Sequence, residues 1–187
     1  VVIGAYLHDP VVHLISALAL AALMASAGWH KLRNPDAFAN VLSNYAQAMG
    51  FSLPGGARAL LQYLLPGLEL LAAAAVLVSP WLPVAAWPVV CLLALYALVL
   101  AVSAKRGAAI EDCGCHFGSK PQPPSMALAW RNVLLVLVAA NLTLPMLDRP
   151  WVWFDAVTGL FALLSAVMVY LLANLLISNR ISLRELS

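Results

Sequence analysis

Cys113 and Cys115 are separated by one glycine in the segment Glu111-Asp112-Cys113-Gly114-Cys115-His116-Phe117-Gly118. A pair this close joins only through a small ring, which Gly114 permits, and a disulfide strained in that way is more easily reduced. Three chemistries fit the spacing: electron exchange between dithiol and disulfide, soft-metal binding by thiolates, or two inert thiols in a polar loop. His116 offers a third soft ligand, but adjacent residues rarely point at one ion and no fourth ligand is evident, so no metal site is expected. Lys105, Arg106, Lys120 and His116 favour a thiolate, whereas Glu111 and Asp112 oppose one. The remaining cysteine, Cys91, lies in an apolar run and is expected to act as a small buried hydrophobe.

A second group of residues is unusual for the apolar company it keeps. Glu69 lies about ten residues into a hydrophobic stretch, roughly 15 Å deep at 1.5 Å per residue and thus near a bilayer's centre. A lone carboxylate at that depth is costly, so it is expected to be protonated or paired. Arg131, with Asn132 beside it, enters another hydrophobic stretch from the same side, and its long side chain is expected to meet Glu69. Pro66 leaves the carbonyl of Gln62 without its helical donor and invites a polar partner. Lys31 either joins this pocket or reaches back to the interface. A buried pair that only fixes helix register is the alternative to a functional site.

These groups must be held by membrane helices. The chain has 187 residues, 64% of them hydrophobic and 10% charged, with a mean hydropathy of +0.92. A water-soluble domain carries roughly a quarter charged residues, which excludes that class. The net charge of +2 comes from scattered basic residues, so there is no footprint for nucleic acid. Spans are expected at residues 11–30, 60–79, 84–104, 126–147 and 153–178, each close to the 20 residues a crossing needs. The fold class is therefore all-α: a single-domain polytopic bundle of a four-helix core plus a fifth span, in contact with membrane lipid. Asn34-Pro35-Asp36 starts a short interfacial helix over residues 35–49, amphipathic through Phe38, Val41, Leu42, Tyr45 and Met49 and ended by Gly50. No basic segment precedes the first apolar run, so that run is read as a retained span.

With five crossings, Lys31, Arg33, Arg58, Lys105, Arg106, Lys120, Arg180 and Arg184 share one side and Arg149 stands alone on the other. The bias predicts a cytoplasmic location for the basic loops and the C-terminus. The cysteine loop, Lys31 and Arg131 all belong to that basic end.

The order Gly28-Trp29-His30-Lys31-Leu32, Asn34-Pro35-Asp36-Ala37-Phe38, Leu65-Pro66-Gly67-Leu68-Glu69-Leu70, Asp112-Cys113-Gly114-Cys115 and Arg131-Asn132 resembles the MauE family, within the wider DoxX-like membrane proteins. The resemblance runs from about residue 11 to residue 140. It implies a bacterial cytoplasmic (inner) membrane protein that supports maturation of an exported, disulfide-rich client, the small subunit of methylamine dehydrogenase, together with a thioredoxin-like, MauD-like partner. Under it, Cys113 and Cys115 are the redox pair, and Lys31, Glu69, Arg131 and Asn132, with His116, are the supporting polar pocket. The electron acceptor is then that partner or a membrane quinone, and the activity that of a thiol-disulfide oxidoreductase. A soft-metal or small-thiol transport module with Glu69 as protonation site, and a non-catalytic assembly subunit, are the alternatives. A periplasmic client and a cysteine pair at the cytoplasmic end further imply electron passage across the bilayer or a loop reached from the far side.

Overall fold

A computed structural model describes residues 6–106, 124–150 and 152–185. All regular structure among them is helical: α1 (Pro10–Arg33), α2 (Pro35–Ala48), α3 (Gly55–Val78), a short 3-10 turn (Pro83–Ala86), α4 (Trp87–Lys105), α5 (Met126–Asn141) and α6 (Trp153–Glu185). Four are long and apolar enough to cross a membrane, namely α1, α3, α4 with its preceding turn, and α6 over Trp153–Ile177. The protein is a multi-pass membrane protein of the expected all-α class.

One boundary differs from expectation. The span expected over 126–147 is a helix only as far as Asn141, 16 residues in all. Pro145 accounts for the stop, because its ring clashes with the carbonyl four residues earlier, at Asn141, and it lacks the N–H of a further turn. The chain instead folds back on the start of α1, where Asn141 Nδ2 donates to the Leu7 carbonyl at 2.9 Å and the Leu147 amide donates to the His8 carbonyl at 2.8 Å.

The strongest packing is α1 on α3 and α4 on α5, with α1 also touching α5 and α6. Two apolar clusters form the interior. One contains Leu20, Met24, Ala72, Val76, Leu93 and Ala139, and the other Tyr45, Leu100, Leu128 and Ala129. Alanines at these contacts let helices approach, as in other membrane bundles, where lipid tails offer no hydrophobic drive to association. On α4, Tyr96 falls between Leu93 of the first cluster and Leu100 of the second, and on α5 Arg131 and Asn132 fall between Ala129 and Ala139. Trp29, Tyr63 and Trp130 are exposed near one end of the bundle and Trp81, Trp87 and Trp153 near the other, where ring and water-facing edge both suit a membrane interface. Cys91 is exposed on the outer surface of α4, not buried as its apolar neighbours had suggested. In a helix apolar on every side, hydropathy cannot distinguish the lipid face from the core.

The amphipathic helix α2 buries Phe38, Ala39, Tyr45 and Ala46 against the bundle, chiefly against α3. Its end is a Schellman motif: the Phe51 amide donates to the Ala46 carbonyl at 3.0 Å and the Gly50 amide to the Gln47 carbonyl at 2.9 Å. Gly50 has φ +89°, a left-handed conformation that glycine adopts without a Cβ clash.

Candidate functional site

Helices α1 and α3 meet at Gly28. A Cβ there would lie 3.0 Å from the Pro66 carbonyl oxygen and 3.3 Å from Glu69 Cβ. The Pro66 oxygen is backbone and cannot turn aside, so the close approach depends on glycine. Lys31, three residues further along α1, shares the face of Gly28. Because Cα–Cβ bonds tilt toward a helix N-terminus, Lys31 leans into the bundle and Glu69, on the antiparallel α3, leans toward it.

The two side chains form a buried ion pair, Lys31 Nζ donating to Glu69 Oε1. Lys31 is 6% exposed and Glu69 0%. Tyr96 of α4 donates its hydroxyl to the same carboxylate oxygen at 2.5 Å. The Lys31 ammonium also lies 4.9 Å from the Tyr96 ring centre and 5.1 Å from that of Phe38, contacts that stabilise a desolvated cation. Glu69 Oε2 and Asn132 Nδ2 are buried and lack a hydrogen-bond partner among the described residues.

The expected Glu69–Arg131 pair is not formed. Arg131 Nη1 donates to Asn174 Oδ1 of α6 at 2.7 Å, and its guanidinium lies 5.6 Å from the Tyr170 ring. Helix α5 begins at the same end of the bundle as α3, so the N-terminal tilt carries Arg131 away from the depth of Glu69 and toward α6. Arg131 still borders the space that Glu69 borders. Lys31, Glu69, Tyr96, Arg131, Asn132 and Tyr170 share one cavity of about 50 Å³. That is room for a few waters at roughly 10–15 Å³ each.

Chemically, the cavity sets two cations, Lys31 and Arg131, beside one carboxylate, Glu69. Such an environment favours a small anion or a thiolate, and the Glu69–Lys31–Tyr96 triad can hold or pass a proton. Cys113, Cys115 and His116 lie outside the described residues. The described chain leaves α4 at Arg106, whose Nη1 donates to the Ala48 carbonyl at 3.2 Å, and resumes just before Ser125, the N-cap of α5. Both anchor points are at the end of the bundle that carries Lys31 and Arg131.

Three residues of this site, Tyr96, Tyr170 and Asn174, escaped the reading of the sequence. Each is a polar tip inside an apolar run, such as Ala173-Asn174-Leu175 in α6, and that is the signal that points to them. The opposite end holds a different polar group. Arg149 donates from Nε to Asp9 Oδ2 at 3.0 Å and from Nη1 to Asp155 Oδ2 at 2.8 Å, joining the N-cap of α1 to the first turn of α6. These bonds hold the Asp9 carboxyl below the usual carboxylate range and the Arg149 guanidinium above its usual value.

A family model described as methylamine utilisation protein MauE matches residues 9–145. The methylamine utilization protein MauE of Paracoccus denitrificans is 32% identical over 172 residues, covering 91% of this chain and 90% of that protein. The protein of the same name from Methylophilus methylotrophus is 34% identical over 176 residues, covering 91% and 88%. That of Paracoccus versutus is 32% identical over 172 residues, covering 91% and 89%. No solved structure matches the chain.

Proposed function

The chain belongs to the MauE family, and from that membership we propose that it is a thiol-disulfide redox protein of methylamine utilisation, acting through Cys113 and Cys115. In this reading the pair alternates between dithiol and disulfide and exchanges electrons with a thioredoxin-like partner or a membrane quinone. The beneficiary is an exported protein that needs disulfides, such as the small subunit of methylamine dehydrogenase. The membrane is the bacterial cytoplasmic membrane, with the basic loops inward.

The observation that carries the reading is the cation-rich cavity of Lys31, Glu69, Tyr96 and Arg131, at the end of the bundle where the cysteine-bearing segment is anchored. Thiol-disulfide exchange begins with a thiolate attacking a disulfide sulfur. That thiolate forms a mixed disulfide, which the second thiol of the pair resolves, and the displaced sulfur leaves as a thiolate. The buried Lys31 and the half-buried Arg131 would lower the free energy of each thiolate on this path, while Glu69 limits the excess positive charge. Tyr96 and Lys31 provide exchangeable protons beside Glu69. The test is trapping. Cys115→Ser, or the reciprocal Cys113→Ser, accumulates a mixed disulfide visible on non-reducing gels and lost on reduction. If neither variant traps a partner and both still support maturation of the client, the redox assignment fails.

A further inference from the structure

Glu69 Oε2 of α3 and Asn132 Nδ2 of α5 are buried without a hydrogen-bond partner among the described residues, and the two residues are 0% and 4% exposed. Both residues line the same polar cavity of about 50 Å³. Burial of such groups without a partner is costly, most of all for a carboxylate oxygen. We propose that this cavity is a hydrated proton-exchange site, in which bound water joins Glu69 Oε2 to Asn132 Nδ2 and carries protons to and from the triad of Lys31, Glu69 and Tyr96. The inference stands apart from the thiol-disulfide reading and does not need it.

The two atoms make opposite demands. A carboxylate oxygen accepts and an amide N–H donates, so one occupant that serves both must donate and accept at once. Lys31 and Arg131 on the same wall suit an anion, but an anion has no proton to give Glu69. A metal cation would suit Glu69, yet it would meet two like charges and could not accept from Asn132. A neutral hydroxylic molecule remains, and about 50 Å³ falls well short of the roughly 150 Å³ that admits benzene, so the occupant is water. Other groups on the wall complete the three or so bonds that a buried water makes. Ser26 Oγ, which donates to the Leu23 carbonyl at 2.9 Å, keeps lone pairs with which to accept. Lys31 gives one of its three N–H groups to Glu69 and has others to donate. Lys31 of α1, Tyr96 of α4, Arg131 of α5 and Tyr170 of α6 are the charged or titratable groups that share this wall with Glu69. A water that accepts from Lys31 and donates to Glu69 Oε2 gives both a neighbour for proton exchange, and Tyr96 joins through Glu69 Oε1, to which it donates at 2.5 Å. Asn132 is then a positioning residue, which holds the water against the carboxylate.

The experiment is radiolytic hydroxyl-radical footprinting of the purified full chain in lipid nanodiscs, read by mass spectrometry, in which bound water labels the buried side chains it touches. Leu93 lines the cavity, whereas Leu20 and Leu142 belong to the same apolar cluster and do not line it, and the three are 1%, 1% and 0% exposed. Comparing one residue type removes differences in intrinsic reactivity. The proposal expects Leu93 to be labelled several-fold faster than Leu20 and Leu142. Asn132→Leu, of similar volume and without the donor, should bring Leu93 down to their rate. It should also slow exchange of the Lys31 Nζ protons with heavy water by about tenfold, the equivalent of one hydrogen bond. That exchange is followed by NMR on nitrogen-15-labelled lysine, the Lys31 signal being the one lost in the Lys31→Met, Glu69→Gln double variant. The inference is overturned if Leu93 is labelled no faster than the other two leucines, or if Asn132→Leu leaves either the labelling or the exchange unchanged. Should that variant fail to fold, the three leucines of the unaltered chain decide by themselves.

Discussion

The ion pair of Lys31 and Glu69 is buried, and each member depends on the other. Removing one charge from such a pair strands its partner, at a cost of about 3–5 kcal/mol, whereas neutralising both together costs far less. Lys31→Met is therefore expected to lower the unfolding midpoint of the purified protein sharply, and adding Glu69→Gln should restore most of it. Equal losses in the single and double variants would show that the pair contributes little. Tyr96→Phe should be milder, at about 1–2 kcal/mol, because Glu69 keeps Lys31 while losing one charge-assisted bond. Lys31, Glu69, Arg131 and Asn132 were legible as a group because ionisable or amide side chains stand out in apolar runs. Their pairing was not, since it depends on helix direction and on the Gly28 contact that turns Lys31 inward.

At the level of the helices, the position of the pocket is set by how closely α1 approaches α3. Gly28→Ala places a methyl group 3.0 Å from a backbone oxygen and forces the helices apart. Overpacking of this kind costs about 1–3 kcal/mol. The variant should also expose the pocket, measured as faster hydrogen exchange along α1 near Lys31; unchanged exchange would mean that α1 adjusts elsewhere. Gly50→Ala tests the end of α2 in the same way, where a left-handed residue with a Cβ costs roughly 1–2 kcal/mol and should loosen α2 alone. Asn34-Pro35 and Gly50 marked the limits of α2 well, since caps are local chemistry. The end of α5 was overestimated by six residues because hydropathy continues past Asn141 while Pro145 stops the helix. The outward face of Cys91 was equally hidden, because α4 is apolar all round.

Across the whole molecule, the two ends differ in how charge is handled. The lone basic residue of one end, Arg149, is matched by Asp9 and Asp155, which fasten α6 to α1, while the other end keeps its excess of cations. Asp9 titrates below its ordinary value of 3.8 because Arg149 donates to it. A carboxylate lowered in this way adds stability that is complete above the ordinary value and is lost as pH falls through the lowered one. The gap in thermal midpoint between the unaltered protein and Arg149→Met should therefore narrow as pH is lowered from about 5 to about 2. A gap independent of pH would mean that the clamp acts through packing. The all-α class and the membrane setting were readable from composition and run length, but Arg149's role was not, because its partners are distant in sequence. The most direct test of the central claim is mass-tag labelling of Cys113 and Cys115, in a Cys91→Ser background, with an impermeant thiol reagent on spheroplasts and on inverted vesicles. A redox pair at rest as a disulfide takes no tags before mild reduction and two after it, and the preparation that labels reveals the side from which the pair is reached. Two tags without reduction, persisting after exposure to an oxidised thioredoxin-like protein and to a quinone, would contradict the account.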